Sequence, residues 1–197
     1  MSRRAVFLDR DGVLVRDVGP LTRADDISLT PGVAPALSAL EAAGFLLIVV
    51  SNQTVLARGL LEENAVMGLQ RQVEEQIVSA GGPKLSGFYF CPHHPRATRA
   101  ELRTDCACRK PAPGLLLQAA AEHDIALEQS FMLGDRPSDV VAGLRAGCTT
   151  VQLLSGAHEA APIEVTGGFE ARAPHYVARE LREAASLVLG HALGAAS

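Results

Sequence analysis

Short apolar runs alternate along the chain with longer segments in which apolar residues recur at helical spacing. The run FLLIVV at residues 45–50 is apolar throughout, as in a strand covered on both faces. The segment 60–82 is amphipathic and ends at two glycines, which is typical of a surface helix. Strands are predicted at residues 5–8, 45–50, 87–90, 130–133 and 149–154, with a weaker one at 175–178. Helices are predicted at residues 31–44, 60–82, 114–123, 139–147 and 178–190.

This alternation predicts an α/β fold, in which a doubly wound, mostly parallel sheet carries helices on both faces. The length of 197 residues fits a single domain, which we expect to span residues 1–197. Residues 155–173 are rich in Gly, Ala and Pro and are predicted to form a loose surface connection. No long insertion separates the first strand from the first helix, so we expect no large cap domain.

Polar residues crowd the ends of several predicted strands. Asp9 and Asp11 follow the first strand, residues 51–53 follow the second, and Asp135 follows the fourth, with Asp139 shortly after it. In doubly wound sheets, ligands bind beyond the carboxyl ends of the strands. Carboxylates gathered there would repel each other, and a divalent cation resolves the repulsion. Mg²⁺ favours a few carboxylates, retained waters and a substrate phosphate.

Other residues at the same edge fit phosphate chemistry. Ser51 and Asn52 can donate hydrogen bonds to phosphoryl oxygens. Lys110 can neutralise charge on a phosphoryl group during its transfer. The sequence therefore predicts a magnesium-dependent site for a phosphorylated ligand.

The segment 91–113, called the cysteine loop below, holds three of the four cysteines. Its chelating residues form two close pairs, C-x-H and C-x-C, at Cys91, His93, Cys106 and Cys108. Four such ligands suit a tetrahedral Zn²⁺, and a filled shell makes the ion structural. Either His93 or His94 could supply the nitrogen ligand, and we favour His93. Zinc would staple the loop and fix the position of the cations that follow Cys108.

Composition limits the classes of function. The net charge of −4 and the pI of about 5.9 give no general attraction to nucleic acid or to anionic membranes. The longest apolar runs are too short to span a bilayer. We recognise no export signal, so we expect a cytoplasmic protein whose cysteines are thiols or metal ligands. We also expect a monomer with no nucleic-acid or membrane partner.

The chain resembles the haloacid dehalogenase (HAD) superfamily of phosphohydrolases. The resemblance rests on DRDGVL at residues 9–14, SNQ at 51–53, RKP at 109–111 and GDRPSD at 134–139, in that order. It implies a Rossmann-like HAD fold and a phosphatase in which Asp9 is the nucleophile and Asp11 the general acid and base. It also implies Mg²⁺ bound by the Asp9 carboxylate, the backbone carbonyl of Asp11 and Asp135, with Asp139 supporting the waters of the metal.

The cysteine motif CPHH…CACRKP, together with SNQTVLARG, narrows the resemblance. The chain is similar to the D-glycero-D-manno-heptose 1,7-bisphosphate 7-phosphatases of the histidinol-phosphatase-like branch. That family implies a small phosphorylated sugar as substrate, and Mg²⁺ and Zn²⁺ as cofactors. The substrate-binding residues that it implies are Ser51, Asn52, Gln53, Thr54, Arg109, Lys110, Arg136, Asp17 and Gly19.

The chain departs from the usual family pattern at three positions. Pro20 follows Gly19 where the family has an aromatic residue, Arg136 replaces a lysine, and Val13 replaces a threonine. An arginine keeps the positive charge at position 136 but alters the geometry. We expect specificity to depend on the cysteine loop and on a flap at residues 17–25.

Two other functions compete with this interpretation. One is a phosphatase of the same branch that acts on histidinol phosphate or on another small sugar phosphate. The other is a zinc-stabilised binding module without catalysis, which the joint presence of Asp9, Asp11, Ser51, Lys110 and Asp135 disfavours. A nucleic-acid 3′-phosphatase is disfavoured because the chain lacks a basic stripe with stacking aromatic residues.

Overall fold

The computed structural model describes residues 2–155 and 173–194. The strands are β1 (Arg4–Leu8), β2 (Phe45–Asn52), β3 (Gly87–Cys91), β4 (Phe131–Gly134), β5 (Thr149–Leu153) and β6 (Tyr176–Ala178). The helices are α1 (Val33–Ala42), α2 (Thr54–Ala57), α3 (Glu63–Ser79), α4 (Gly114–His123), α5 (Pro137–Ala146) and α6 (Leu181–Gly194). Three short 3₁₀ helices lie at Ala24–Asp26, Ala100–Leu102 and Leu127–Gln129.

The six strands form one sheet in the order β3-β2-β1-β4-β5-β6, and every pairing between them is parallel. This is the strand order of the doubly wound dinucleotide-binding fold. Because β1 lies at the centre with β2 and β4 beside it, the residues after these three strands meet at one edge. The α/β, mostly parallel sheet predicted from the sequence is confirmed.

The sheet separates two hydrophobic clusters, and alternate residues of its central strands belong to different clusters. In β1, Val6 and Leu8 pack in the cluster that includes residues of α1, α3 and α6. Ala5 and Phe7 pack in the cluster that includes residues of α4 and α5. Successive strand side chains point to opposite faces, so an apolar strand needs cover on both. Helices on both faces are therefore confirmed, as is the buried character of the run at residues 45–50.

Several element boundaries differ from the predicted ones. The helix α5 begins at Pro137, two residues before the predicted start at 139, because Asp139 acts as a cap from inside the first turn. Its carboxylate accepts a hydrogen bond from the backbone N–H of Arg136 at 3.0 Å. The strand β2 continues through Asn52, and α6 continues to Gly194 beyond the predicted end at 190. The short helix α2 was not predicted.

The segment between β1 and α1 contains one 3₁₀ helix at Ala24–Asp26 and no separate cap domain. None of the described helices combines the length and the apolar character that a membrane crossing requires. The predicted surface connection at 155–173 falls, apart from its two end residues, outside the described residues.

Candidate active site

A cavity of about 290 Å³ lies at the carboxyl edge of the sheet. It brings together residues that follow three different strands and the end of the cysteine loop. Of the residues predicted to carry the chemistry, those that line it are Asp9, Asp11, Ser51, Lys110 and Asp139. Asp135 is buried beside them, and its carboxylate belongs to the same cluster as Asp9 and Asp139.

Three buried carboxylates form the negative centre of the site. One oxygen each of Asp9, Asp135 and Asp139 lies within 4.8 Å of the others. Burial, then the charges of Asp9 and Asp139, raise the pKa of Asp135 to about 7. The pKa of Asp139 is raised to about 6, mainly by burial, although Lys110 acts in the opposite direction. Three ionised carboxylates this close are unfavourable unless a cation joins them.

Lys110 supplies one positive charge to this centre. Its Nζ donates to Asp9 Oδ1 at 2.9 Å and to the backbone carbonyl of Val50 at 2.7 Å. It also forms an ion pair with Asp139 Oδ1 at 2.7 Å. Burial acts to lower the pKa of Lys110, but the carboxylates of Asp139 and Asp9 outweigh it and the pKa is raised. Lys110 therefore stays charged between two of the three carboxylates.

The remaining negative charge fits a divalent cation. Both carboxylate oxygens of Asp135 are buried and have no hydrogen-bond partner among residues 2–155 and 173–194. A buried carboxylate without a partner is costly, and oxygen-only ligands are those that Mg²⁺ prefers. The residues therefore fit magnesium. The Asp11 side chain is not part of this cluster; the family resemblance assigns only its backbone carbonyl to the metal.

A glycine makes room for Asp135 beside the first motif. Gly12 has φ of +87°, a conformation that side chains rarely adopt. A Cβ atom at this position would lie 2.3 Å from Asp135 Oδ2. The glycine after Asp11 therefore lets the loop after β1 pass directly over the carboxylate that follows β4.

The carboxylate of Asp11 is oriented by a neighbour that the sequence analysis did not select. Arg10 is 1% exposed, and its Nε and Nη2 donate to the two carboxylate oxygens of Asp11, each at 2.9 Å. Arg10 Nη2 also donates to Gln53 Oε1 at 3.1 Å, and Gln53 Nε2 donates to Ser51 Oγ at 2.7 Å. A hydrogen-bond network thus connects Asp11 to Ser51. The sequence offered one signal for this role of Arg10, which is its place inside the motif DRDGVL directly after a buried strand.

The predicted phosphate-binding residues at the end of β2 and just beyond it differ in what they contact. Ser51 is 1% exposed and lines the cavity together with Gln53 and Thr54. Asn52 also lines the cavity, but its side-chain amide pairs with the backbone of Lys110 in both directions, each at 3.0 Å. Asn52 therefore fixes the backbone from which Lys110 reaches Asp9.

The predicted substrate residues farther from the carboxylates lie around the mouth of the cavity. Asp17, Gly19, Arg109 and Arg136 all line it. Arg136 Nη2 pairs with Asp17 Oδ2 at 2.8 Å, and Asp17 Oδ1 accepts from the backbone N–H of Gly19 at 2.9 Å. The flap and the start of α5 are thus connected by one ion pair at the mouth.

The four predicted zinc ligands lie together in the cysteine loop. Distances between the sulfurs of Cys91, Cys106 and Cys108 are 3.1–3.6 Å, and all three are free thiols. His93 Nδ1 lies 3.3 Å from Cys108 Sγ and 3.6 Å from Cys91 Sγ. Tetrahedral zinc with bonds of about 2.3 Å needs ligand atoms a little under 4 Å apart. The donor set and its spacing fit zinc with no position left for a substrate.

The structure separates the two candidate histidines. His93 belongs to the cluster, whereas His94 Nδ1 accepts a hydrogen bond from the backbone N–H of Arg96 at 3.0 Å. The backbone carbonyl of His93 accepts from Arg109 Nη1 at 2.9 Å. The geometry therefore favours His93 and connects the cluster to a cation at the cavity mouth.

One further cation at the mouth was not selected from the sequence. Arg58 follows α2 and lines the cavity with its exposed side chain. The pKa of His94 is lowered, first by burial and then by the charges of Arg109, Arg96 and Arg58. Arg58 lies within the run SNQTVLARG that supports the family resemblance, but the sequence analysis assigned this residue no role.

Comparison with known proteins shows where this chain has relatives. Residues 107–184 match the model of the HAD-hydrolase-like family. The chain is 39% identical over 145 residues to a D-glycero-beta-D-manno-heptose-1,7-bisphosphate 7-phosphatase of Helicobacter pylori, covering 74% of this chain and 80% of that protein. It is 36% identical over 188 residues to the Pasteurella multocida protein of the same name, and the match covers 95% of this chain and 98% of that protein. A D-glycero-D-manno-heptose-1,7-bisphosphate 7-phosphatase of Thermosynechococcus vestitus is 35% identical over 195 residues, and the match covers 97% of this chain and 98% of that protein.

Solved structures give the same picture. A D,D-heptose 1,7-bisphosphate phosphatase from B. bronchiseptica, complexed with magnesium and phosphate, superposes with a TM-score of 0.80 at 27% identity. The superposition covers 95% of this chain and 99% of that one. A HAD-like phosphatase from Mesorhizobium loti superposes with a TM-score of 0.76 at 28% identity. The superposition covers 98% of this chain and 86% of that one.

Proposed function

Because the chain belongs to the D-glycero-D-manno-heptose 1,7-bisphosphate 7-phosphatases, a family of HAD-like hydrolases, we propose that it removes the 7-phosphate of this sugar bisphosphate. We further propose that the reaction proceeds through a phosphoryl group carried on Asp9. The observation that carries the mechanism is the position of Asp9, whose carboxylate contacts the charged Lys110 and lies within 4.8 Å of two further carboxylates.

In the first step, a carboxylate oxygen of Asp9 attacks phosphorus and the bond to the sugar oxygen breaks. Lys110 is charged and lies 2.9 Å from Asp9 Oδ1, so it offsets negative charge on the transferring group. Asp11 donates a proton to the leaving sugar oxygen, which departs as an alcohol. Arg10 pairs with both oxygens of Asp11, so the leaving oxygen competes with Arg10 for one of them.

In the second step, water attacks phosphorus of the aspartyl-phosphate and Asp11, now a carboxylate, accepts a proton from it. The bond between phosphorus and the Asp9 oxygen breaks, which restores Asp9 and releases phosphate. Arg10 donates to both oxygens of Asp11 and so keeps this side chain in a fixed orientation during the step. Asp11 thus alternates between acid and base.

Magnesium would be held by Asp9, Asp135 and the backbone carbonyl of Asp11, and would supply charge neutralisation to the phosphoryl group. Asp139 would support the waters of the metal through its place beside Lys110. Zinc would be held by Cys91, His93, Cys106 and Cys108 and would stabilise the loop that presents Arg109. Monomeric state, a cytoplasmic location and a single domain over the full chain stay predictions.

The cavity mouth favours a substrate with a second anionic group. Arg109 lines the mouth without a carboxylate partner in the described ranges 2–155 and 173–194. Histidinol phosphate carries one phosphate only; its far end is an imidazole, which brings no negative charge to Arg109. A sugar bisphosphate carries a second phosphate instead, which Arg109 would attract.

A phosphate-release assay over a panel of substrates tests this proposal. The panel holds both anomers of heptose 1,7-bisphosphate, histidinol phosphate, sugar monophosphates and an aryl phosphate, each with magnesium. We expect kcat/KM for one heptose bisphosphate anomer to exceed that for every other compound. A preference for histidinol phosphate, or equal values throughout, would contradict the proposed substrate and leave the phosphatase chemistry standing. No phosphate release from any compound would contradict both.

A further inference from the structure

Five cationic side chains line the cavity, and they differ in whether a carboxylate neutralises them. Arg10 pairs with Asp11, Lys110 with Asp9, and Arg136 with Asp17. Within the described residues, Arg58 and Arg109 form no ion pair with a carboxylate. These two guanidinium groups therefore bring uncompensated positive charge to the mouth of the cavity.

The backbone at Arg58 is fixed by the cysteine loop. The backbone carbonyl of Ala57 accepts hydrogen bonds from the backbone N–H of Thr98 at 2.9 Å and from its Oγ1 at 3.0 Å. The helix α2 is also held by packing, because its residues Val55, Leu56 and Ala57 are buried. Arg58 therefore extends from a held backbone, although its side chain is exposed.

Arg58 and Arg109 line the same cavity. Both are connected to the cysteine loop, because Thr98 Oγ1 donates to the backbone carbonyl of Ala57 and Arg109 Nη1 donates to that of His93. Two positive charges that line one cavity attract an anion. A guanidinium group matches the geometry of a phosphate because it can donate two parallel hydrogen bonds.

We propose that Arg58, together with Arg109, binds the substrate phosphate that is not hydrolysed. This inference rests on the proposed function, because it requires a substrate with two phosphates. The reacting phosphate lies against Asp9 and Lys110, and the second lies at the mouth, against the two arginines. Binding energy from this remote group then favours bisphosphates over monophosphates.

The test compares two substrates in four proteins. The substrates are the preferred sugar bisphosphate and 4-nitrophenyl phosphate, which has no second phosphate. The proteins are the wild type, Arg58→Ala, Arg58→Lys and Arg96→Ala, each loaded with zinc and magnesium. Arg96 is the matched control, because it is an exposed cation of the cysteine loop that does not line the cavity.

We expect Arg58→Ala to lower kcat/KM for the bisphosphate by about 10- to 100-fold, mainly through KM. The loss with 4-nitrophenyl phosphate should be at least about tenfold smaller, so the ratio between the two substrates changes. Arg58→Lys should restore part of the ratio, because a lysine keeps the charge without the two-donor geometry. Arg96→Ala should leave the ratio within about twofold of the wild type.

Three results would overturn the inference. Equal losses with both substrates would assign Arg58 a structural role, and no loss with either substrate would make it a solvated side chain. A loss in Arg96→Ala as large as in Arg58→Ala would mean that the loop attracts anions without a defined site. The wild-type assays decide the proposed function separately, because they show whether the heptose bisphosphate is a substrate before any arginine is changed.

Discussion

The two clusters of metal-binding side chains differ in how the chain assembles them. The carboxylates of Asp9 and Asp135 follow two adjacent strands of the central sheet, far apart in sequence. The thiol and imidazole ligands all come from residues 91–108, nearly all of it a loop beyond the end of β3. The first cluster is therefore held by the hydrophobic core, whereas the second would be held together by the zinc ion that we propose for it.

The difference separates chemistry from support. Changes at the carboxylates should remove the reaction while the fold persists, because the strands that carry them are buried on both faces. Changes at the thiols should release the loop, and with it the cations that meet the substrate. Each experiment below asks whether one cluster can be damaged while the other remains intact.

The largest effect is expected for Asp9→Asn. An amide cannot form the phosphorylated intermediate, so kcat should fall by about 10⁴-fold or more, and zinc content should stay at one ion per chain. Phosphate release and metal analysis of the same preparation measure both quantities. If Asp9→Asn kept a tenth or more of the activity, Asp9 would not be the nucleophile.

A smaller effect is expected for Cys106→Ser. Losing one thiolate should release zinc, lower the unfolding temperature and reduce kcat/KM for a bisphosphate by about 10- to 100-fold. Cys148→Ala is the matched control, because Cys148 is a buried thiol of the core that lies outside the ligand cluster. Retained zinc in Cys106→Ser, or zinc lost from Cys148→Ala, would contradict the ligand set.

A pH dependence follows from the carboxylate cluster in magnesium-free protein. The pKa of Asp135 is raised from its ordinary value of 3.8 to about 7, so the folded chain binds this proton more tightly than the unfolded chain. Stability from this group is present below about pH 4 and is lost as the pH rises towards 7. We expect the unfolding temperature to fall by about 3 °C or more between about pH 5 and pH 7.5.

The control for this prediction is magnesium, which should stabilise the protein more at the higher pH because it occupies the ionised cluster. Asp135→Asn should remove much of the dependence on pH and most of the stabilisation by magnesium. A dependence of equal size in Asp135→Asn would assign the titration to another group.

The smallest effect distinguishes two neighbouring histidines. His94→Ala should keep its zinc and change kcat/KM by no more than about twofold, because His94 contacts a backbone N–H outside the cluster. His93→Ala should lose zinc, because its Nδ1 lies 3.3 Å from Cys108 Sγ. The zinc content of the two variants decides which histidine is the ligand. Zinc lost from His94→Ala and kept in His93→Ala would assign the ligand to His94.

Much of the fold followed from the sequence because its signals are local. A short apolar run such as residues 45–50 is typical of a buried strand, and parallel strands place their carboxyl ends at one edge. The clustering of the four predicted zinc ligands also followed from the sequence, because their spacing lies within one segment. The helix α2 was missed because four residues are too short to show helical periodicity.

The contacts that orient the side chains of the site could not be predicted from the sequence. Arginine side chains are usually exposed, yet Arg10 is almost fully buried and contacts Asp11 and Gln53. Asn52 was expected to donate to phosphate, and the structure shows its amide paired with the backbone of Lys110. The contacts of Arg10 with Gln53 and of Asn52 with Lys110 join residues 43 and 58 positions apart, so only the folded chain reveals them.

The central claim is that Asp9 carries the phosphoryl group, and a trapping experiment tests it most directly. Asp11→Asn should still react with 4-nitrophenyl phosphate, whose leaving group needs no proton, but should hydrolyse the intermediate slowly because the base is lost. The predicted result, after acid quenching, is one hydroxylamine-sensitive phosphoryl group on the peptide that contains Asp9, and none in the variant that also carries Asp9→Asn. Turnover of the aryl phosphate without a phosphorylated peptide, or with the group on another residue, would contradict the account.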